Sequence, residues 1–134
     1  MRRFTLTLVA MFLLCSLAMA QSVSKSYFDA QGALAADDLA KARTALAALA
    51  QESSGDLKTK AQAATDAKDI NSMRKGFKAL SDVVIKMELP KGYGVAFCPM
   101  FEGGSSWAQK QGSLANPYFG KSMLSCGTFR TQSK

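Results

Sequence analysis

The strongest helical pattern in the chain lies between Asp69 and Met87 and reads DINSMRKGFKALSDVVIKM. Its apolar residues recur at alternating spacings of three and four positions, which is the pattern of one buried stripe on an α-helix. The members of this stripe are Ile70, Met73, Phe77, Leu80, Val84 and Met87. Asp69 stands directly before the stripe and is a suitable N-cap. The segment therefore predicts a helix whose whole stripe is core, both methionines included.

The sequence upstream of this helix predicts further helices. Residues 22–88 contain no proline and are rich in alanine, leucine and lysine, which favour helix. We expect one helix over residues 22–35, a second capped by Asp37 or Asp38, and a third from Asp56 to Ala67. Short connections between helices favour antiparallel neighbours. The predicted fold is therefore mainly α, an antiparallel three- or four-helix bundle over residues 21–89.

The composition changes at Pro90. Residues 90–134 contain all three prolines, seven of the ten glycines and the single tryptophan. Proline and glycine break a chain into turns and short segments. We expect residues 90–134 to form a C-terminal Cys/Met-rich cap of loops and strands, which packs on the bundle within a single domain.

The first 20 residues predict a signal peptide for export. Arg2 and Arg3 supply a positive start, an apolar run follows, and Ala18-Met19-Ala20 is a small-x-small cleavage pattern. Cleavage after Ala20 would place the chain in the periplasm. The apolar run is too short to span a membrane, so we expect no stable membrane insertion after cleavage.

The charge and the residue types exclude several classes of function. The net charge of +7 comes from dispersed lysines with acidic residues between them, whereas a nucleic-acid-binding protein shows a clustered basic stripe. We therefore expect no nucleic-acid partner. The chain has no histidine, which excludes histidine-assisted nucleophiles and histidine zinc sites. It also has no Cys-x-x-Cys motif. We predict that the protein is not an enzyme.

Two short runs of the tail each carry one cysteine and one methionine. They are Phe97-Cys98-Pro99-Met100 and the run from Asn116 to Gly127, which contains Met123 and Cys126. Soft thiolate and thioether ligands select Cu(I), and Ag(I) by the same argument, whereas thioether is a poor ligand for zinc. If the fold brings the runs together, Cys98, Met100, Met123 and Cys126 form a soft-metal site. Trp107 and Tyr118 are candidates to shield that site.

A disulfide is the alternative interpretation of the same cysteines. Two cysteines in an exported protein usually pair with each other. A Cys98–Cys126 bond would close a long loop and stabilise the fold by about 3.5 kcal/mol. The protein would then be an interaction module of the cell envelope without any metal. The residues alone leave the metal site and the disulfide both open.

At these residues the chain resembles a bacterial family, domain-of-unknown-function family 3347, found alone or attached to adaptor subunits of heavy-metal efflux pumps. The resemblance is carried by Cys98-Pro99-Met100, Trp107, Asn116-Pro117-Tyr118-Phe119-Gly120-Lys121-Ser122-Met123 and Cys126-Gly127. Upstream, Tyr27, the run at residues 33–38 and the run from Arg74 to Ser81 are similar to the family.

The resemblance implies a periplasmic domain for copper or heavy-metal handling, without catalysis. It implies the same four ligands, Cys98, Met100, Met123 and Cys126. Its expected partner is a heavy-metal efflux adaptor or another periplasmic copper protein, and the expected role is that of a metal chaperone, buffer or efflux accessory.

Overall fold

A computed structural model describes residues 23–131 of the chain. The predicted signal peptide at residues 1–20 lies outside the described residues. Within the described part of the chain, every helix is too short or too polar to cross a membrane.

The helices follow one another without long loops. Their bounds are α1 Val23–Ala35, α2 Leu39–Glu52, α3 Gly55–Thr65 and α4 Ile70–Val84. Each packs against the next along the chain. Asp38 caps α2, because its side chain accepts a hydrogen bond of 3.0 Å from the amide of Lys41. Asp69 caps α4 in the same way at 2.9 Å from the amide of Ser72, as the sequence predicts.

The apolar stripe of α4 is buried along most of its length. Met73, Phe77, Leu80 and Val84 all lie in the core. The prediction that Met87 is also a core residue is wrong, since 45% of Met87 is exposed. The helix ends at Val84, and the amides of Lys86 and Met87 bond back only three positions, to Val83 and Val84. Met87 therefore leaves the stripe before it reaches the core.

The second half of the chain forms a sheet. Its strands are β1 Tyr93–Cys98, β2 Ser105–Lys110 and β3 Thr128–Phe129, and a short 3-10 helix, Gly120–Met123, precedes β3. The sheet has the order β2-β1-β3, with both neighbours antiparallel to β1.

This sheet corrects the predicted fold class. The protein is mixed α/β, and the prediction of a mainly α bundle with a loop-and-strand cap is wrong. The reason lies in β2, which packs against α4 and α1 and is buried from Ser105 to Gln109. Strands buried on both faces lack the polar–apolar alternation that marks a strand, and serine, alanine and glycine are poor strand formers. The sequence therefore carries little sign of the sheet.

Tyr27 joins the helical and sheet parts of the core. Its hydroxyl lies 2.7 Å from the Ser81 hydroxyl on α4 and accepts a hydrogen bond of 3.1 Å from the Ala108 amide on β2. Its ring stacks on Phe77 at 5.0 Å between centroids. The helices and the sheet therefore share one hydrophobic cluster, which also contains Trp107, Tyr118 and Cys98.

Candidate functional site

The fold brings the two cysteines of the tail together. Cys98 is the last residue of β1, and Cys126 lies two positions before β3. Because β3 pairs with β1 through Phe97 and Thr128, the ends that carry the cysteines are neighbours. Their Sγ atoms are 3.5 Å apart, and both are free thiols.

Gly127 makes this close approach possible. Its φ of +130° is a backbone conformation that residues with a side chain rarely adopt. A Cβ at this position would lie 2.6 Å from the carbonyl oxygen of Phe97 and 3.2 Å from Cη2 of Trp107. A residue with a side chain would therefore push Cys126 away from the end of β1.

The two thiols have different environments. Cys98 is fully buried, whereas Cys126 is partly exposed. Burial alone would raise the pKa of the Cys98 thiol, but hydrogen bonds from the Met100 amide, the Asn116 side chain, the Cys126 thiol and the Phe101 amide outweigh burial and lower it. The hydrogen bond to Cys98, together with burial and the charge of Cys98, raises the pKa of the Cys126 thiol. The first thiolate to form is therefore that of Cys98.

Asn116 connects both cysteines and is more than the turn residue that the Asn-Pro sequence suggests. Its side chain is fully buried and lies near the Cys98 thiol, whose pKa it lowers. It also donates a hydrogen bond of 2.7 Å to the Cys126 carbonyl, while its own oxygen accepts from the Tyr118 amide at 2.8 Å and from the Phe119 amide. No feature of the sequence shows that this side chain points at the thiols.

A buried arginine holds the segment between Asn116 and Cys126 on the helices. Arg74 donates through Nε to the Pro117 carbonyl at 2.9 Å, and through Nη2 to the Leu34 carbonyl at 3.0 Å and to Asp37 at 2.7 Å. Asp37 in turn accepts a hydrogen bond of 3.1 Å from the Lys121 amide. These contacts tie α1, α4 and the loop together. The one sequence feature that could have indicated this role is the position of Arg74, a charged residue next to Met73 on the buried side of α4.

The two candidate methionines lie at the surface beside the thiols. Met100 is 64% exposed, and its amide lies near the Cys98 thiol and lowers the pKa of that thiol. Met123 is 38% exposed and its carbonyl accepts a hydrogen bond of 3.0 Å from the Cys126 amide. Each methionine thus belongs to the backbone turn next to one cysteine. The structure brings the four predicted residues into one region, with the thiols in contact and the thioethers at the surface.

Trp107 and Tyr118 are buried on the inner side of this region. Their rings meet edge to face at 5.8 Å, and the Tyr118 hydroxyl donates to the Ser106 carbonyl. Trp107 Nε1 donates to Gln109 at 2.9 Å, so both polar ends are satisfied within the core. Burial raises the pKa of Tyr118 far above its usual value, which keeps the phenol neutral. Both rings belong to the hydrophobic cluster that also contains Cys98.

The donor set favours a soft metal over a hard one. Among residues 23–131, no group of three histidine, cysteine, aspartate or glutamate side chains is placed to hold a metal ion. The two adjacent thiols therefore have no third side chain of these four types in this range placed to share a metal ion with them, and the other soft donors in the two runs are the thioethers of Met100 and Met123. A surface groove of about 710 Å³ between α1 and α2 contains neither cysteine, and small residues such as Ala33 and Ala45 line much of it.

No protein-family model matches the chain, and no curated protein or solved structure is significantly similar to it. The functional interpretation therefore depends on the geometry of the site and on the motif resemblance.

Proposed function

We propose that this protein binds Cu(I), or Ag(I), through the thiolates of Cys98 and Cys126, with Met100 and Met123 as additional ligands. The metal is cargo, and the role is that of a chaperone, buffer or efflux accessory without catalysis. We further propose that the chain works in the periplasm as a member of family 3347. Its partner would be a heavy-metal efflux adaptor or another periplasmic copper protein.

The observation that carries the proposal is the pair of free thiols at 3.5 Å. Two thiolates bound to one ion at about 2.3 Å in tetrahedral geometry would lie about 3.8 Å apart, so little movement is needed. The hydrogen bonds that favour a thiolate at Cys98 support metal binding, because the thiolate is the ligand form. The exposed thioethers of Met100 and Met123 add soft donors at the solvent side.

The methionines provide the test. Met→Leu nearly conserves volume and apolarity, so the double change Met100→Leu, Met123→Leu should cost less than about 1.5 kcal/mol of stability. We expect it to weaken Cu(I) binding by at least about tenfold, because two soft ligands are lost. The measurement is competition with a chromophoric Cu(I) chelator under reducing conditions, where the wild type should bind about one ion.

Met87→Leu is the matched control. Met87 is also exposed, but it lies after α4 and not beside either cysteine. We expect it to bind Cu(I) like the wild type. Equal affinities of the wild type and the double variant would remove the methionines from the site. Failure of the reduced wild type to compete for Cu(I) would refute the proposal as a whole.

The same thiol pair supports a second candidate, an interaction module stapled by a disulfide. The two sulfurs are already adjacent although the residues are 28 positions apart in the chain. Closing this loop would stabilise the fold by about 3.5 kcal/mol in the loop-entropy model. Thiol titration of protein purified from its native compartment separates the candidates, since the stapled module has no free thiol and gains none on treatment with a copper chelator.

A further inference from the structure

The two sulfurs of the pair differ in access from solvent. Cys98 has no exposed surface and its sulfur lies among the amide of Met100, the side chain of Asn116 and the thiol of Cys126. Cys126 is partly exposed, next to the exposed Met123 and Leu124. A reagent in solution can therefore reach one sulfur of the pair but not the other.

We propose that the pair is a thiol–disulfide exchange site with a fixed direction, in which external thiols and disulfides react at Cys126 and Cys98 acts as the internal partner. The proposal concerns the same two sulfurs as the Cu(I) site, but it does not depend on metal binding. Its ligand class is an external thiol, either a small molecule or a cysteine of another protein.

Reduction follows from this geometry in two steps. An external thiolate attacks Sγ of the partly exposed Cys126, the Cys98–Cys126 bond breaks, and its electron pair goes to the sulfur of the buried Cys98. A second external thiolate then attacks the external sulfur of the mixed disulfide and releases the Cys126 thiolate. Two external thiols are oxidised to one disulfide, and the protein disulfide is reduced by two electrons.

Oxidation of the pair also begins at Cys126. The Cys126 thiolate attacks an external disulfide and expels one external thiolate, which leaves a mixed disulfide at Cys126. The Cys98 thiolate, whose sulfur is 3.5 Å away, then attacks Sγ of Cys126 and expels the second external thiolate. Cys98 thus resolves the mixed disulfide without contacting solvent.

Two single-cysteine variants of the chain from Gln21 onward, which lacks Cys15, test the direction. Cys98→Ser retains Cys126, and Cys126→Ser retains Cys98. With a chromogenic aromatic disulfide under native conditions, we expect Cys126 to react at least about tenfold faster, because a buried thiol must wait for local opening. In guanidinium chloride the two rates should agree within about twofold, since burial is lost. The alanine variants at the same positions replace the serine variants if a buried serine prevents folding.

The same chain with both Cys98 and Cys126 in place gives an independent measurement. The oxidised protein is treated with reduced glutathione, or with a reduced thioredoxin-fold protein that has a single active cysteine, and the adducts are trapped with acid. Trypsin separates the two sites, because Lys110 and Lys121 lie between Cys98 and Cys126. We expect the adduct on the Cys126 peptide with both reagents, and the faster of the two identifies the class of partner.

Equal native rates of the two single-cysteine variants, or adducts on the Cys98 peptide, would overturn the proposal. Failure of the exchange proposal can be distinguished from failure of the Cu(I) proposal. A Cys126-selective reaction in a protein that does not compete for Cu(I) upholds the exchange site and refutes the metal site. Tight Cu(I) binding with equal thiol reactivity does the reverse.

Discussion

Asn116 shows how a single buried side chain sets the chemistry of the site. Its amide nitrogen donates to the Cys126 carbonyl, its oxygen accepts from the following amides, and its side chain lowers the pKa of the nearby Cys98 thiol. A donor directed at a thiolate lowers the thiol pKa, whereas a negative charge in the same place raises it. The residue therefore has both a structural role and an electrostatic one.

We predict that Asn116→Asp raises the pKa of the Cys98 thiol, because the amide group that lowers this pKa is lost and a like charge faces the thiolate. Aspartate keeps the oxygen that accepts from the Tyr118 amide, so the loop should persist. The measurement is the pH dependence of the ultraviolet thiolate absorbance in the Cys126→Ser background. Asn71→Asp, a change at an exposed position of α4, should leave the pKa of the Cys98 thiol unaltered. An unchanged titration in Asn116→Asp would deny Asn116 its electrostatic role.

At the scale of elements, α4 is the centre of the packing. Its Phe77 has no exposed surface, stacks on Tyr27 from α1 and lies 6.2 Å from the ring of Tyr118, which belongs to the loop of the site. One side chain thus contacts the first helix and the segment that leads to Cys126. Apolar burial of this kind requires no metal, so the fold should form in the metal-free protein.

We predict that Phe77→Ala lowers the free energy of unfolding by about 3–5 kcal/mol, because it opens a cavity in a packed core. Urea unfolding of the reduced protein, followed by helical circular dichroism in the presence of a chelator, measures the change. Met87→Ala is the control and should stay within about 0.5 kcal/mol of the wild type, since Met87 is exposed. A large loss in Met87→Ala would show that the stripe continues beyond α4.

At the scale of the whole molecule, Asp37 and Arg74 link the helices to the loop of the site. Asp37 follows α1 with a φ of +59°, an unusual conformation for a residue with a side chain. There its carboxylate accepts from Arg74 and from the Lys121 amide, and these hydrogen bonds hold the pKa of Asp37 below its usual range. Gly120 packs against Asp37 and Arg74, because a Cβ at position 120 would collide with the side chains of both residues.

This lowered pKa predicts acid sensitivity. A carboxyl group whose pKa is lower in the folded state adds stability above its unfolded pKa of about 3.9, and that stability is lost as the pH falls through the folded pKa. We therefore expect stability to fall as the pH is lowered from about 5 to below 4, measured by urea unfolding. Asp37→Asn should be less stable at neutral pH and should show a flatter pH dependence.

Asp56→Asn serves as the comparison for this prediction. It removes an exposed carboxylate that pairs only with Lys60 within α3, and exposed pairs contribute little. We expect the Asp56→Asn protein to keep the acid sensitivity of the wild type. An equally steep pH dependence in Asp37→Asn would show that the link from Asp37 to Arg74 does not set the acid response.

The sequence alone predicted the features that depend on neighbouring residues. The 3-4 spacing from Ile70 to Val84, the cap at Asp69, the choice of Asp37 or Asp38 as the cap of α2 and the change of composition at Pro90 all act within a few positions of the chain. The stripe failed only at Met87, where the chain turns to enter the sheet. The residue types around the cysteines likewise predict a group of four sulfurs from two short runs.

Only the tertiary structure decided what joins distant positions. The sequence predicted strands in residues 90–134 but not the sheet that they form, because β1 and β2 are mostly buried without polar–apolar alternation and β2 packs against α4 and α1. The contact between Cys98 and Cys126, the hydrogen bond from Asn116 to the Cys126 carbonyl and the link from Arg74 to Asp37 join residues 10 to 37 positions apart. Such contacts depend on how whole elements pack, and no local pattern of residue types encodes them.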